Sequence, residues 1–234
     1  MTLIIGMYYD NKKGALIASD SKEVTGLTYG LTKKITLLDN IIFSIAGFEI
    51  IEEGFFDKFK QLKGKTCKSK NSMKIKEILR ESIKKLGEES ESNPLNKKRF
   101  GLLNGIAGFY NQTNPEIYSF SSEGVEPLET FRSVGPGENL VDYLFKRIYH
   151  SGMSQKQAID IAIYSIFEVS KMYIGVDDNP QIALIDKTGT RILNYDKTGM
   201  PDFQNKEILE IKRKIKTISE KSGKYLDNLL LNLR

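Results

Sequence analysis

Residues 2–47 constrain the fold most, because they contain two strand–turn–strand units in close succession. The first unit occupies residues 3–20 and turns at the sequence Asp-Asn-Lys-Lys-Gly. The second occupies residues 32–47 and turns at an Asp-Asn pair. Apolar runs rich in β-branched residues and joined by Asp, Asn and Gly turns are typical of β-hairpins. The start of the chain is therefore predicted to form two antiparallel hairpins.

The register of these hairpins brings chemically useful groups together. Folding the first hairpin about its turn places Thr2 opposite the segment that begins with Asp20. Folding the second places Lys34 near Ile45 and brings Gly47 close to the start of the same hairpin. A hydroxyl, a carboxylate, a lysine and a glycine N–H can serve acyl transfer as nucleophile, orienting group, cation and oxyanion donor. The candidate catalytic residues are Thr2, Asp20, Lys34 and Gly47.

The rest of the chain predicts runs of strands separated by helices. Apolar residues recur every three to four positions in residues 48–62 and 75–86, as on one face of a helix. A capping-box sequence, Ser-Gln-Lys-Gln, begins another helix at Ser154, and an amphipathic helix is predicted at about 205–233. The predicted order is four strands, two helices, three strands, two helices, two strands and one helix, with a polar linker at residues 87–99 and the seventh strand near residues 128–134. Strands that come in runs favour an α+β fold with two antiparallel sheets, and we predict one domain over residues 1–234.

Composition and charge narrow the functional classes. The single Cys67 excludes an internal disulfide, which fits a reducing compartment, and we expect a cytoplasmic protein. No apolar run reaches the length of a membrane span, and charges at residues 10–13 interrupt any signal-peptide core. The net charge of +5 is mild, so we expect solvated lysine-rich helices and no nucleic-acid partner. The one histidine, His150, gives no metal cluster, and we expect neither a metal nor a cofactor.

Four short motifs carry a resemblance to a known family. They are Met-Thr-Leu-Ile-Ile-Gly at residues 1–6, Ala-Ser-Asp-Ser-Lys at 18–22, Lys-Lys-Ile at 33–35 and Ile-Ala-Gly at 45–47. This pattern resembles the proteasome β-subunit and HslV-type threonine peptidases, which are N-terminal-nucleophile hydrolases. The resemblance implies Thr2 as the nucleophile after removal of Met1, Asp20 as the conserved aspartate, Lys34 as the catalytic lysine and Gly47 as the oxyanion-hole glycine. It also implies that Ile45 lines the pocket for the substrate residue before the cut, although Ile45 equally suits a core strand.

The resemblance also implies an architecture and partners. The family folds as a four-layer αββα sandwich, in which two antiparallel sheets are flanked by helices. Its members assemble as rings around an enclosed chamber, so we expect a homo-oligomeric or hetero-oligomeric ring with a polypeptide substrate. An α-type ring or an ATPase is the kind of partner that would feed unfolded chains into it.

Two departures from the family pattern leave other functions open. Pro136 stands where the family's Gly-Ser-Gly loop has serine, and Tyr173 and Val176 stand by spacing at a later Asp and Ser. One alternative is a non-catalytic ring or scaffold subunit. Another is an amidase or transpeptidase that uses the same Thr2 chemistry on a different amide.

Overall fold

The computed structural model describes residues 2–25, 28–66, 72–193, 202 and 205–217. The chain divides into two compact units, Met1–Leu193 and Asn194–Arg234. The candidate residues all lie in the first unit. In the second, residues 206–217 are helical, which agrees with part of the predicted amphipathic helix, and the remainder of that prediction lies outside the described residues. The prediction of one domain over the whole chain stays a prediction.

The first unit alternates groups of strands with groups of helices, as the sequence predicts. Among the described residues the elements in chain order are β1 (Ile4–Tyr9), β2 (Gly14–Ser19), β3 (Lys22–Thr25), β4 (Thr28–Leu31), β5 (Ile35–Leu38), β6 (Ile41–Ala46), α1 (Glu49–Thr66), α2 (Ser72–Ser90), α3 (Pro94–Phe100), β7 (Asn104–Tyr110), β8 (Pro115–Ser121), β9 (Gly124–Pro127), β10 (Phe131–Val134), α4 (Glu138–Ile148), α5 (Gln155–Met172), β11 (Gln181–Asp186) and β12 (Gly189–Ile192). Within that part of the chain, no helix has the length and apolar character needed to cross a membrane.

Two five-stranded sheets form the centre of this unit. The first sheet has the order β10-β1-β2-β11-β12 and the second the order β5-β6-β7-β8-β9. Every strand pair in them is antiparallel. Helix α5 packs on β1 and β2, helix α2 packs on β8 and β9, and β1 and β2 face β6 and β7. The predicted α+β fold, with two antiparallel sheets between helical layers, is confirmed.

The two sheets approach closely where glycine replaces a side chain. A Cβ atom on Gly108 of β7 would lie 2.5 Å from Cδ1 of Ile185 and 3.1 Å from Cδ1 of Ile17, both in the opposite sheet. The sheets are also joined by a polar contact, because the Ile117 backbone N–H donates to the Tyr8 hydroxyl at 2.9 Å. Both contacts fix the distance between the sheets that carry the candidate residues.

Three elements differ from the sequence-based prediction. Residues 22–31 contain a separate two-stranded hairpin, β3–β4, that the prediction lacks. Residues 87–99 were expected to be a polar linker, but α2 continues to Ser90 and α3 follows with Asn93 as its N-cap. The strand predicted at 128–134 is found as β10 (Phe131–Val134), but an additional strand, β9 (Gly124–Pro127), precedes it in the other sheet. A strand of four residues has too little alternation to be recognised from the sequence alone.

Substituting Gly108 tests the sheet-to-sheet contact. We expect Gly108→Val to lower the free energy of unfolding by about 1–3 kcal/mol, because its side chain would collide with Ile185 and Ile17 in a packed interior. The exposed Gly64 of α1 has open space around its Cβ position. The control Gly64→Ala should raise stability by about 0.5–1 kcal/mol, since alanine favours helix. Urea unfolding of both variants measures these changes in the free energy of unfolding. A Gly108→Val variant that is as stable as the wild type, or more stable, would contradict the close packing of the sheets.

Candidate active site

The first hairpin places Thr2 beside Asp20. Ile4 pairs with Ser19 in the β1–β2 ladder, so the same register continued puts Thr2 opposite Ser21. The Leu3 backbone N–H donates to Asp20 Oδ1 at 2.9 Å, and the Asp20 N–H donates to the Leu3 carbonyl at 3.3 Å. Thr2 itself is 3% exposed. The aspartate therefore holds the backbone directly after the candidate nucleophile.

The environment of Asp20 favours its protonated form. Its side chain is fully buried, and its two oxygens accept the backbone N–H groups of Leu3 and Lys22. Burial raises the pKa of Asp20 to about 7, and the neighbouring charge of Asp177 adds to this increase. The two N–H donors and the positive charge of Lys34 oppose it. Near neutral pH this carboxyl can therefore change its charge in response to a nearby cation.

Gly135 packs against the backbone of Thr2 from the other side. Ile4 pairs with Val134, which brings the turn after β10 next to the start of β1. Gly135 has φ of +102°, and a Cβ atom there would lie 2.0 Å from the Thr2 carbonyl oxygen. Only glycine fits this position. The Gly-Pro-Gly loop thus adjoins the candidate nucleophile through its backbone, with Pro136 where the family pattern has serine.

The β5–β6 hairpin places Lys34 as the sequence predicts. Ile35 pairs with Ser44, so the register continued puts Lys34 opposite Ile45. Lys34 is half-buried whereas Lys33 is exposed, which agrees with their alternation along the chain. The positive charge of Lys34 lowers the pKa of both Asp20 and Glu52. The β1–β2 and β5–β6 hairpins therefore place Asp20 beside Thr2 and bring the charge of Lys34 within electrostatic range of Asp20.

Glu52 is a half-buried carboxyl near Lys34 that sequence reasoning missed. It lies in the first turns of α1, which begins two residues after Gly47. Burial raises the pKa of Glu52 to about 7, the charge of Lys34 lowers it, and Glu49 and Glu53 raise it further. The only available signal was an acidic helix start directly after the Ile-Ala-Gly motif. Such a start is more often explained by the helix dipole.

Gly47 and Ile45 occupy different environments. Gly47 is exposed just beyond β6, and a Cβ atom there would lie 3.7 Å from the Leu102 carbonyl oxygen, an ordinary contact distance. Packing therefore does not require glycine at this position. Ile45 is 3% exposed and belongs to the core cluster that includes Phe43 and Phe55. Its assignment to a substrate pocket stays a prediction, as does the oxyanion role of Gly47.

Asp177 enters the site from the loop before β11. Its Oδ1 accepts the backbone N–H groups of Ser21 at 3.0 Å and Asn179 at 3.2 Å. Spacing from β11 had pointed to Tyr173 and Val176 for this place, but Val176 is buried and Tyr173 lies near Gly137. The turn between α5 and β11 changes the register that spacing alone assumes. Asp177 is the acidic residue that this turn brings next to Asp20.

The described part of the chain contains no side-chain arrangement of the kind that binds metal ions. No group of three or more His, Cys, Asp or Glu side chains is arranged there to hold a metal ion.

Substituting Gly135 tests whether this loop positions Thr2. Gly135→Ala should lower stability by several kcal/mol and abolish any Thr2-dependent activity, because its methyl group would overlap the Thr2 carbonyl. Gly189→Ala is a matched control, since Gly189 also has a positive φ (+115°) but open space around its Cβ position. The control should show only a backbone cost of about 1 kcal/mol. Equal effects of the two substitutions on denaturation midpoints would contradict the proposed packing.

The pKa of Glu52 predicts how stability depends on pH. Its folded-state pKa of about 7 exceeds the ordinary 4.5, so protonated Glu52 contributes stability fully below pH 4.5, and the contribution is lost as pH rises toward 7. Asp20 acts in the same direction. We expect Glu52→Gln to reduce the loss of stability between pH 5 and pH 8 by about 1–3 kcal/mol. Denaturation at both pH values, with the exposed Glu77→Gln as the control, tests this, and parallel curves would refute it.

Comparisons with known proteins agree with this architecture. A search among curated proteins found no match. Among solved structures, a Gly-1 mutant of Anbu from Hyphomicrobium sp. strain MC1 is similar, with a TM-score of 0.73 and 11% sequence identity over 96% of this chain and 97% of that one. At this identity the likeness shows the fold, which is the N-terminal-nucleophile hydrolase fold. A family model described as "Proteasome subunit" matches residues 2–185, well over half of the chain. The chain therefore belongs to the proteasome subunit family.

Proposed function

We propose that this protein is a threonine endopeptidase whose nucleophile is the hydroxyl of Thr2, exposed by removal of Met1. The observation that carries the proposal is the contact of Asp20 with the N–H of Leu3, which fixes a buried carboxyl beside the candidate nucleophile. Lys34 acts electrostatically on the same carboxyl. Family membership supports a hydrolase of the peptidase type, and these contacts support the choice of residues.

The base in this proposal is the α-amino group that removal of Met1 creates. A terminal amine has a pKa near 8, about two units below that of lysine, so part of it is unprotonated at neutral pH. It takes the proton from the hydroxyl of its own residue, directly or through one water molecule. The oxygen of Thr2 then attacks the substrate carbonyl and gives a tetrahedral intermediate. This collapses to an acyl ester as the peptide C–N bond breaks and the α-ammonium group returns its proton to the leaving amine. Water then hydrolyses the ester, which frees the acyl part as a carboxylic acid and regenerates the hydroxyl.

Negative charge in the transition state is stabilised by Lys34 and Gly47, which flank the β5–β6 hairpin. The tetrahedral oxyanion accepts the backbone N–H of Gly47, an exposed residue that a substrate can approach. One such donor typically contributes about 3 kcal/mol. Lys34 adds a positive charge that favours the deprotonated oxygen of Thr2. Its half-buried position strengthens this effect relative to a lysine in bulk water.

Asp20 couples the two hairpins electrostatically. With a pKa of about 7, it is partly protonated at neutral pH in the chain that still carries Met1. An α-ammonium group on Thr2 would add a second positive charge close to it, next to Lys34. We propose that this charge shifts Asp20 to its ionised form, which then attracts the positive charge of Lys34 and keeps it aligned. Processing and activation would thus be linked through one carboxyl.

Subunits of this family typically form oligomeric rings, and we propose that this one does so with Thr2 facing an enclosed chamber. Confinement is the physical condition under which an unselective peptidase spares folded proteins. The substrate would be unfolded polypeptide, supplied by an α-type ring or an ATPase. We also propose a cytoplasmic location, which the single cysteine supports.

A non-catalytic ring subunit is the second candidate function. Two observations favour it: Thr2 is 3% exposed, and Pro136 rather than serine occupies the loop beside it. In such a subunit Asp20 and Gly135 would maintain the fold around an inert terminus. The two candidates differ in what substitution of Thr2 does.

Substituting Thr2 separates these candidates. Thr2→Ala should abolish cleavage of fluorogenic peptides, since no hydroxyl remains, whereas Thr2→Ser should retain activity within about 10-fold because a hydroxyl is still present. Subunit assembly, measured by light scattering, should be the same in all three proteins. Cleavage that persists in purified Thr2→Ala protein would refute the proposed nucleophile. An assembled wild-type protein without any peptidase activity would favour the ring subunit or a different amide substrate.

A further inference from the structure

Gln181 begins β11 in the first sheet, and its side chain reaches the segment that carries Lys34 in the second. Its Oε1 accepts the backbone N–H of Lys34 at 2.9 Å and that of Ile35 at 3.2 Å. Its Nε2 donates to the Thr32 carbonyl at 2.6 Å and to Ser21 Oγ at 2.8 Å. The side chain is fully buried. One amide therefore joins residues of both hairpins at the candidate site.

The partners of Gln181 lie directly beside the candidate catalytic groups. Ser21 follows Asp20 in the chain, and its own N–H is held by Asp177 while its hydroxyl donates to the Asn179 carbonyl at 2.7 Å. On the other side, Gln181 fixes the backbone of Lys34 itself. The amide thus links the segment of Asp20 to the segment of Lys34 through side-chain hydrogen bonds.

Asp20 does not supply this link by itself. Both of its oxygens accept backbone N–H groups from the first part of the chain, those of Leu3 and Lys22. Lys34 reaches the site from the other sheet, on a segment that ends where β5 begins. A backbone contact also joins the two segments, because the Thr32 N–H donates to the Ser21 carbonyl at 2.8 Å. The Gln181 side chain extends this link to the backbone N–H groups of Lys34 and Ile35. A planar amide with two donors and two acceptor positions satisfies four partners at once, which no hydroxyl or carboxylate of similar length can do.

We propose that Gln181 is a positioning residue for the reaction at Thr2, because it holds the backbone of Lys34 in register with the segment of Asp20. This inference rests on the proposed function of Thr2 as a nucleophile. Gln181 does not touch the reacting atoms and acts through Lys34. Loss of the Gln181 amide should move the charge of Lys34 away from Thr2 and lower the rate of the chemical step. Substrate binding should change little.

A peptide epoxyketone measures that chemical step directly. The reagent forms an adduct that needs both a free α-amine and the adjacent hydroxyl, and its kinetics separate a binding constant from a maximal inactivation rate. Gln181→Met keeps the length of the side chain and removes all four hydrogen bonds. We expect its maximal inactivation rate to fall by about 10-fold to 100-fold, because small displacements of a catalytic group have effects of this size. The binding constant should stay within about 3-fold.

Hydrogen exchange tests the bridge without any catalysis. The amide protons of Lys34 and Ile35 should lose protection in Gln181→Met, while those of the β1–β2 ladder should keep theirs. Ile182→Val is the matched control, since Ile182 is fully buried in the same strand on the face opposite to Gln181, so its substitution lowers stability without removing the bridge. The control should keep both the inactivation rate and the protection of the two amides. If Gln181→Met does not fold, Gln181→Asn keeps the amide but shortens its reach, and the same pattern is expected.

The outcomes separate the inference from the function on which it rests. A wild-type protein that forms no adduct refutes the proposed function, and the positioning role falls with it. A wild-type adduct together with an unchanged inactivation rate in the Gln181 variants overturns the positioning role alone. Unchanged protection of the two amides overturns it as well, because the bridge would then not hold the backbone of Lys34. Slower inactivation, unchanged reagent binding and local loss of protection together support it.

Discussion

The hydrogen bond from the Leu3 N–H to the buried carboxyl of Asp20 is the contact on which the site depends. It ties the start of β1 to the end of β2 and so gives a terminal residue a defined place. Chain ends usually fray unless such contacts hold them. Gly135, which follows β10, packs against the Thr2 carbonyl from the other side and leaves no space for a side chain. A nucleophile at a chain terminus keeps one defined position only if its neighbouring residues are fixed in this way.

Burial of this contact has an electrostatic consequence. Asp20 and Glu52 both have pKa values raised to about 7 by desolvation, and Lys34 is the positive group that opposes this increase at both. The site therefore contains two carboxyls whose pKa values are both lowered by the charge of the same lysine.

The sequence was sufficient to predict the β1–β2 and β5–β6 hairpins but not β3–β4, and the register of the first placed Asp20 beside the start of β1. Strand alternation and turn residues determine register locally, which is why Asp20 and Lys34 could be placed within their hairpins from sequence. The contacts of Asp177 and Gln181 could not be predicted in this way. Both act across more than a hundred residues of chain, and their places depend on the turn between α5 and β11. The pairing of β10 with β1 likewise joins residues more than a hundred positions apart.

The proposed activity requires that Thr2 is a processed and reactive terminal residue. An intact-mass spectrum of the purified protein, recorded with and without a peptide epoxyketone, shows whether it is. We expect a mass without Met1 and the addition of one reagent molecule per chain, absent from Thr2→Ala. A protein that retains Met1, or that loses it and still forms no adduct, would rule out Thr2 as the nucleophile.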